Sequence, residues 1–145
     1  MNIIVWILEY MQITTATKHR VLIVDDDESI RTGLSDLLTL DGYEVGTAGN
    51  GSMGRHLYQS DPFDLVITDI IMPSTDGLQL ILEIKDFDAD AKILAISGGG
   101  RSGNLSLLDT AKQFGAIKTL CKPLSTEEVL SAVQELLSEI NLDLG

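Results

Sequence analysis

The chain has 145 residues, of which 44% are hydrophobic and 22% are charged, so it has the composition of a single globular domain. Its formal charge of −12 excludes nucleic acid and anionic membrane surfaces as expected partners, because both recruit clustered Lys and Arg. The single cysteine excludes an internal disulfide and a Cys-rich zinc site, which fits a reducing, cytoplasmic location.

The first 19 residues differ from the rest of the chain. Residues 3–8, IIVWIL, are apolar but too few to span a bilayer, and they lack the basic flank of a signal peptide, so we expect no membrane insertion. We interpret 1–19 as an N-terminal extension of unknown role. The favoured interpretation is an appended tail, an extra packed turn, or an upstream start codon with Met11 as the ancestral start, because terminal segments usually lack a dedicated role. The alternative is a contact patch for a partner or a second copy.

From residue 20 onward, short β-branched runs alternate with segments of helical spacing. Ile30, Leu34, Leu37 and Leu38 illustrate that spacing, since they recur at i, i+4, i+7 and i+8. The alternation predicts an α/β domain over 20–141 with a doubly wound, five-stranded parallel sheet and five helices. Cys121 is predicted to be a core thiol on the fifth strand. The predicted strands are 21–24, 43–48, 64–68, 92–97 and 118–121.

Polar residues follow four of these strands where each strand ends. Residues 25–27, all aspartate, follow the first strand, and Asp69, Ser97 and Lys122 stand at the ends of the third, fourth and fifth. In open parallel sheets, ligands bind at the carboxyl ends of the strands, so we expect these side chains to meet at one edge. The sequence therefore predicts one polar site built from four strands.

The residue types at this edge indicate the chemistry of the site. Clustered carboxylates repel one another unless a cation lies among them. Oxygen ligands without nearby His or Cys favour Mg²⁺ or Mn²⁺ over zinc. With the ammonium of Lys122 and the hydroxyl of Ser97, such a metal site is equipped to place a phosphoryl group on an aspartate.

The sequence at these positions resembles the response-regulator receiver domains of two-component signalling, the CheY-like family. The resemblance rests on VDDDESIR, DLVITDIIMPSTDGL, ILAIS and GAIKTLCKPL, in that order, and extends over about residues 20–141. Each motif alone is weak, but four in register are specific. The resemblance implies the flavodoxin-like strand order 2-1-3-4-5, an order for which a receiver protein is a standard example.

The resemblance also implies roles for individual residues. Asp69 matches the phosphoacceptor. Asp26 and Asp69 would ligate Mg²⁺ directly, Asp25 would act through a water molecule, and the backbone carbonyl of Ile71 would complete the protein ligands. Asp27 adjoins the acidic pair and is left out of the predicted metal site.

Two further matches and two departures concern the switch region. Ser97 matches the hydroxyl residue that follows the phosphoryl group in the active form. Lys122 matches the lysine of the Lys-Pro pair, whose peptide bond is usually cis in the family. Thr119 stands where the family often has an aromatic switch residue, and Gly98–Gly100 replace larger side chains of many relatives.

The resulting functional expectation is a stand-alone receiver that takes a phosphoryl group on Asp69 from a sensor histidine kinase or phosphotransfer protein. It would signal by altered binding to an unknown downstream protein, and it would not be an enzyme beyond assisting its own phosphorylation and dephosphorylation. The alternative is an interaction module that keeps the fold without being phosphorylated, which Thr119 and the glycine-rich loop leave open. A phosphate hydrolase is disfavoured because Ile71 stands where its general acid would be.

Overall fold

The computed structural model describes residues 2–16, 18–73, 77–98 and 105–142. It contains a five-stranded parallel sheet in the order β2-β1-β3-β4-β5. The predicted fold is therefore confirmed, with one additional helix at the N-terminus. The elements are α1 (Ile3–Ala16), β1 (Arg20–Val24), α2 (Glu28–Leu40), β2 (Glu44–Ala48), α3 (Gly51–Ser60), β3 (Leu65–Asp69), α4 (Gly77–Phe87), β4 (Ile93–Ser97), α5 (Leu105–Phe114), β5 (Lys118–Cys121) and α6 (Thr126–Leu142).

Helices cover both faces of the sheet, and the central strands β1, β3 and β4 are buried except for Arg20 at the start of β1. In β1, Val21 and Ile23 point into one apolar cluster, whereas Leu22 and Val24 point into the other, as the two-residue repeat of a strand requires. Helices α2 and α6 cover the first cluster, and α3, α4 and α5 cover the second. Because both faces are covered, the carboxyl edge of the sheet is where polar side chains can meet solvent.

The helix ends follow local sequence signals. Asp27 and Asn50 cap α2 and α3, each accepting hydrogen bonds from backbone N–H groups of the first turn. Ser125 does the same before α6, where its Oγ accepts a 3.0 Å hydrogen bond from the N–H of Glu128. Gly42 and Gly115 follow α2 and α5 with φ of 97° and 125°, values that favour glycine.

Two details differ from the sequence analysis. Helix α1 was not predicted, because its apolar residues show no helical period. Cys121 was predicted to lie in the core but is exposed. The physical reason is that β5 is an edge strand whose residues are at most half-buried, unlike those of β3 and β4. Within the described ranges, no helix is both long and apolar enough to cross a membrane.

Candidate functional site

Three carboxylates meet at the carboxyl edge of the sheet. Strands β1 and β3 are neighbours in parallel register, so Asp25, just after β1, and Asp69, the last residue of β3, are brought side by side. Asp25 and Asp69 are only 2% and 6% exposed, whereas Asp26 is exposed. Each of the three offers a carboxylate oxygen, and these oxygens lie within 4.8 Å of one another. The predicted convergence of strand ends is thus present in the structure.

Lys122 joins this cluster from the far side of β4. Its Nζ donates hydrogen bonds of 3.1 Å to Oδ2 of Asp25 and 3.1 Å to Oδ2 of Asp69. Its backbone N–H donates to the carbonyl of Ser97, and the Lys122–Pro123 peptide bond is cis. The Lys122 side chain is 18% exposed, so this ion pair is largely shielded from water.

Backbone groups hold the other carboxylate oxygens. Oδ1 of Asp25 accepts a 2.9 Å hydrogen bond from the N–H of Asp27, and Oδ1 of Asp69 accepts one of 3.2 Å from the N–H of Ile71. The side chain of Asp27 is engaged elsewhere, since its Oδ1 caps α2. Asp27 therefore lies outside the group of three carboxylates.

Burial sets the electrostatics of the site. It raises the pKa of Asp69 above its usual value, and the charge and hydrogen bond of Lys122 oppose this only in part. Burial alone would lower the pKa of Lys122, but its hydrogen bond to Asp25 and the charges of both aspartates raise it. Lys122 therefore remains protonated and charged, whereas ionised Asp69 carries a desolvation cost that a further cation would reduce.

The residues of the predicted switch region are only partly within the described structure. The Oγ atom of Ser97 is fully buried and has no hydrogen-bond partner among the described residues. A buried hydroxyl without a hydrogen-bond partner lowers the stability of the fold, so the Oγ atom of Ser97 is available to form a hydrogen bond. Thr119 is half-buried on β5, where it pairs with Ala95 of β4. Residues 99 and 100 of the predicted glycine-rich loop lie outside the described residues.

Arg31 contributes to the site although the sequence analysis did not single it out. From the second turn of α2, its Nη1 donates a 2.7 Å hydrogen bond to the carbonyl of Asp25. A Cβ at Gly49 would lie 3.4 Å from that nitrogen, so the guanidinium lies over the loop after β2. Arg31 thus fixes the backbone between the two aspartates that follow β1. The basic residue one helical turn after Asp27 was the available signal.

Gly77 is the second residue that sequence reasoning missed. Its N–H donates a 2.8 Å hydrogen bond to the carbonyl of Ile70. A Cβ at this position would overlap the carbonyl oxygen of Asp69 and lie 2.7 Å from Cα of Ile70. Only glycine lets the start of α4 approach the end of β3 this closely. The Asp-Gly pair in STDGL was visible, but the sequence does not show what lies against it.

The donor set fits a hard divalent cation. Three carboxylates face one ammonium, which leaves an excess of negative charge, and every candidate ligand atom is oxygen. Mg²⁺ is commonly held by one or two carboxylates and several waters, and the exposed side of Asp26 leaves room for water. Asp25, Asp26 and Asp69 therefore satisfy the charge and donor requirements of a magnesium site.

Comparisons with known proteins identify the family and the fold. A family model described as the response regulator receiver domain matches residues 21–134. Chemotaxis protein CheY of Bacillus subtilis is 38% identical over 121 residues, covering 83% of this chain and 98% of the relative. Sporulation initiation phosphotransferase F of the same organism is 28% identical, covering 81% and 93%. The solved structure of Vibrio cholerae chemotaxis protein CheY4 has a TM-score of 0.77 at 31% identity, covering 83% of this chain and 100% of that one.

Proposed function

Since the chain belongs to the family of response-regulator receiver domains, we propose that it is a signalling protein that accepts a phosphoryl group on Asp69. The observation that carries the proposal is the position of Asp69. Its carboxylate is buried at the end of β3, bonded to Lys122 and grouped with two further carboxylates. In this proposal residues 20–141 form the receiver and residues 1–19 form an extension outside it.

The transfer requires an ionised carboxylate beside concentrated positive charge. An oxygen of Asp69 forms a bond to phosphorus while the bond from phosphorus to the donor's nitrogen or oxygen breaks and the donor leaves with the electron pair. Lys122 supports this step, because its ammonium offsets the negative charge that gathers at the acceptor. The proposed donor is a sensor histidine kinase or a phosphotransfer protein.

We assign the metal ligands as the sequence predicts. Asp26 and Asp69 would hold Mg²⁺ directly, Asp25 would act through water, and the carbonyl of Ile71 would complete the protein ligands. The three carboxylates that can approach one ion support this assignment. When bound, Mg²⁺ would supply positive charge that draws the phosphoryl oxygens toward Asp69.

The output would begin at Ser97. Its buried hydroxyl, which has no partner among the described residues, could donate to an oxygen of the new phosphoryl group. Such a hydrogen bond favours one packing of the β4–α5 region over another, so phosphorylation would shift a population of conformers. The signal would then leave through altered binding to a downstream protein, with the chain acting as a stand-alone receiver.

Labelling with acetyl phosphate tests the proposal. The wild-type protein should gain one phosphoryl group in the presence of Mg²⁺ and none with EDTA, and Asp69→Asn should abolish labelling. Asp27→Asn is the matched control, because Asn caps helices as well as Asp does and Asp27 lies outside the cluster. Undiminished labelling of Asp69→Asn would refute the assignment.

A second candidate function, a constitutive interaction module, is favoured by one observation. Thr119 occupies the half-buried position on β5 where an aromatic switch residue is expected from the family resemblance. Isothermal titration with Mg²⁺ and beryllofluoride separates the two functions. A receiver that switches binds beryllofluoride only when Mg²⁺ is present, whereas an unphosphorylated module shows no such binding.

A further inference from the structure

Thr68 is a fully buried polar residue immediately before Asp69. It is 0% exposed and lies near the end of β3. Val66 and Ile70, two residues to either side, belong to the apolar cluster covered by α3, α4 and α5, so the Thr68 side chain points to the same face of the sheet. Valine has the same branched shape and would suit such a position without a polar atom. The hydroxyl of Thr68 therefore needs its own explanation.

That hydroxyl holds one end of the peptide group between Asp69 and Ile70. The Oγ1 atom of Thr68 donates a 3.0 Å hydrogen bond to the carbonyl of Asp69. At the other end of the same peptide group, the N–H of Ile70 donates a 2.8 Å hydrogen bond to the carbonyl of Ile96 on β4. Because both polar atoms of this peptide group are bonded, its orientation is fixed.

The next peptide group, between Ile70 and Ile71, is bonded at both ends as well. The carbonyl of Ile70 accepts a 2.8 Å hydrogen bond from the N–H of Gly77, and the N–H of Ile71 donates one of 3.2 Å to Oδ1 of Asp69. The bond from Ile71 connects these peptide groups to the proposed phosphoacceptor carboxylate, whose Oδ2 accepts from Lys122. The orientation of the carboxylate therefore depends on the orientation of the two peptide groups.

Among the hydrogen bonds of these two peptide groups, the one from Thr68 is the bond whose donor is a side chain, whereas the other donors are backbone N–H groups. The start of α4 lies against the same carbonyl, since a Cβ at Gly77 would overlap the oxygen of Asp69. Water therefore has little room to replace the hydroxyl. Without it, the peptide group either keeps an unsatisfied carbonyl or turns toward another donor, and turning moves the N–H of Ile71 away from Oδ1.

We propose that Thr68 is a positioning residue, whose hydroxyl holds the carboxylate of Asp69 in the orientation required for Mg²⁺ binding and phosphoryl transfer. The inference rests on the proposed phosphorylation of Asp69. Thr68 is fully buried, so it acts through the backbone and not by touching the metal or the phosphoryl donor. The same backbone carries the carbonyl of Ile71, the proposed ligand of Mg²⁺. Misplacing a reacting atom by about 1 Å can slow a reaction ~100-fold, so small rotations of this segment matter.

Three variants of the full-length protein test the proposal. Thr68→Val removes the hydroxyl and keeps the branched shape, Thr68→Ser keeps the hydroxyl, and Thr47→Val makes the same change as the first at an exposed position of β2. In the metal-free protein, the amide hydrogen of Ile71 should exchange about tenfold faster in Thr68→Val, with the amides of β4 unchanged. Acetyl phosphate labelling should be about tenfold slower in this variant, and its Mg²⁺ affinity about tenfold lower. Thr68→Ser and Thr47→Val should match the wild type in all three measurements.

The proposal is overturned if Thr68→Val matches the wild type in exchange at Ile71, in Mg²⁺ affinity or in labelling. It is also overturned if Thr68→Ser loses as much as Thr68→Val, because the hydroxyl would then have no role. Equally faster exchange at Ile71 and throughout β4, or a Thr68→Val chain that does not fold, would show that Thr68 serves the fold and not the site. Absence of labelling in the wild type would instead refute the proposed function, and hydrogen exchange and Mg²⁺ titration would still decide the role of Thr68.

Discussion

Replacing Lys122 with methionine should destabilise the metal-free protein by about 3 kcal/mol, the lower end for breaking a buried ion pair. The Nζ of Lys122 lies 3.1 Å from an oxygen of Asp25 and 3.1 Å from one of Asp69. At an effective dielectric constant near 20, each contact corresponds to roughly 5 kcal/mol of Coulomb attraction, most of which offsets desolvation. Without the ammonium, two buried carboxylates face each other uncompensated.

Mg²⁺ should restore most of the stability lost in Lys122→Met, because a divalent cation among the carboxylates replaces the missing charge. The loss should also shrink at acidic pH, since protonation removes the charge of Asp69, whose pKa burial already raises. The assay is urea denaturation at pH 7.5, once with EDTA and once with saturating Mg²⁺. A much larger effect of Mg²⁺ on the variant than on the wild type is the expected signature.

Lys118→Met is the matched control for this prediction. Lys118 also forms an ion pair, at 2.9 Å from Glu135, but both side chains are well exposed. Its loss should therefore cost less than about 1 kcal/mol and show no dependence on Mg²⁺. Equal losses of stability in the two variants with EDTA would contradict this electrostatic explanation. So would a stabilisation of Lys122→Met by Mg²⁺ that is no larger than that of the wild type.

Three further substitutions probe the structure around the site. Gly77→Ala should lower the free energy of unfolding by about 3 kcal/mol in urea titrations, because its Cβ overlaps the backbone at the end of β3. Gly33→Ala is the control and should raise the free energy of unfolding by ~0.5 kcal/mol, because an added Cβ there meets no atom within 4 Å. Arg31→Lys should weaken Mg²⁺ binding about tenfold in isothermal titration, since the hydrogen bond that fixes the end of β1 is lost. Tyr58→Phe should remove a loss of stability that the wild-type protein shows at alkaline pH. Burial and its hydrogen bond to Asp88 raise the pKa of Tyr58, so the unfolded chain ionises first as the pH rises above 10.

The outcomes that contradict these predictions are specific. Equal and small effects of the two glycine substitutions would mean that α4 does not approach β3 as described. Unchanged Mg²⁺ affinity in Arg31→Lys would show that the guanidinium does not position the aspartates. For Tyr58, the wild type should lose about 1.4 kcal/mol more than Tyr58→Phe between pH 8 and pH 11. Parallel pH profiles would exclude the linkage.

The sheet and the site were predictable because their signals are local. A buried parallel strand is an uninterrupted apolar run, and the residue after it lies at the sheet's carboxyl edge, which placed Asp25, Asp69 and Lys122 together. The helix boundaries at Gly42 and Gly115 were equally local, since each glycine follows its helix with a positive φ.

The features that the sequence did not reveal depend on how neighbouring elements pack against one another, which residue patterns do not show. Gly77 is required by the backbone at the end of β3, and Arg31 donates to the carbonyl of Asp25, just after β1. Cys121 follows Leu120 at the end of a predicted strand, and the position of β5 at the sheet edge exposes it. Helix α1 gave no periodic signal because residues 3–8 are apolar without interruption, so sequence patterning could not separate it from an irregular tail.

The central claim is that Asp69 accepts a phosphoryl group, and locating that group tests the claim most directly. The protein is incubated with acetyl phosphate and Mg²⁺, digested at low pH, and analysed by tandem mass spectrometry. We predict a single phosphoryl group on the peptide that contains Asp69, absent when EDTA replaces Mg²⁺. A phosphoryl group on any other residue, or no incorporation under conditions that label the Bacillus subtilis CheY relative, would contradict the claim.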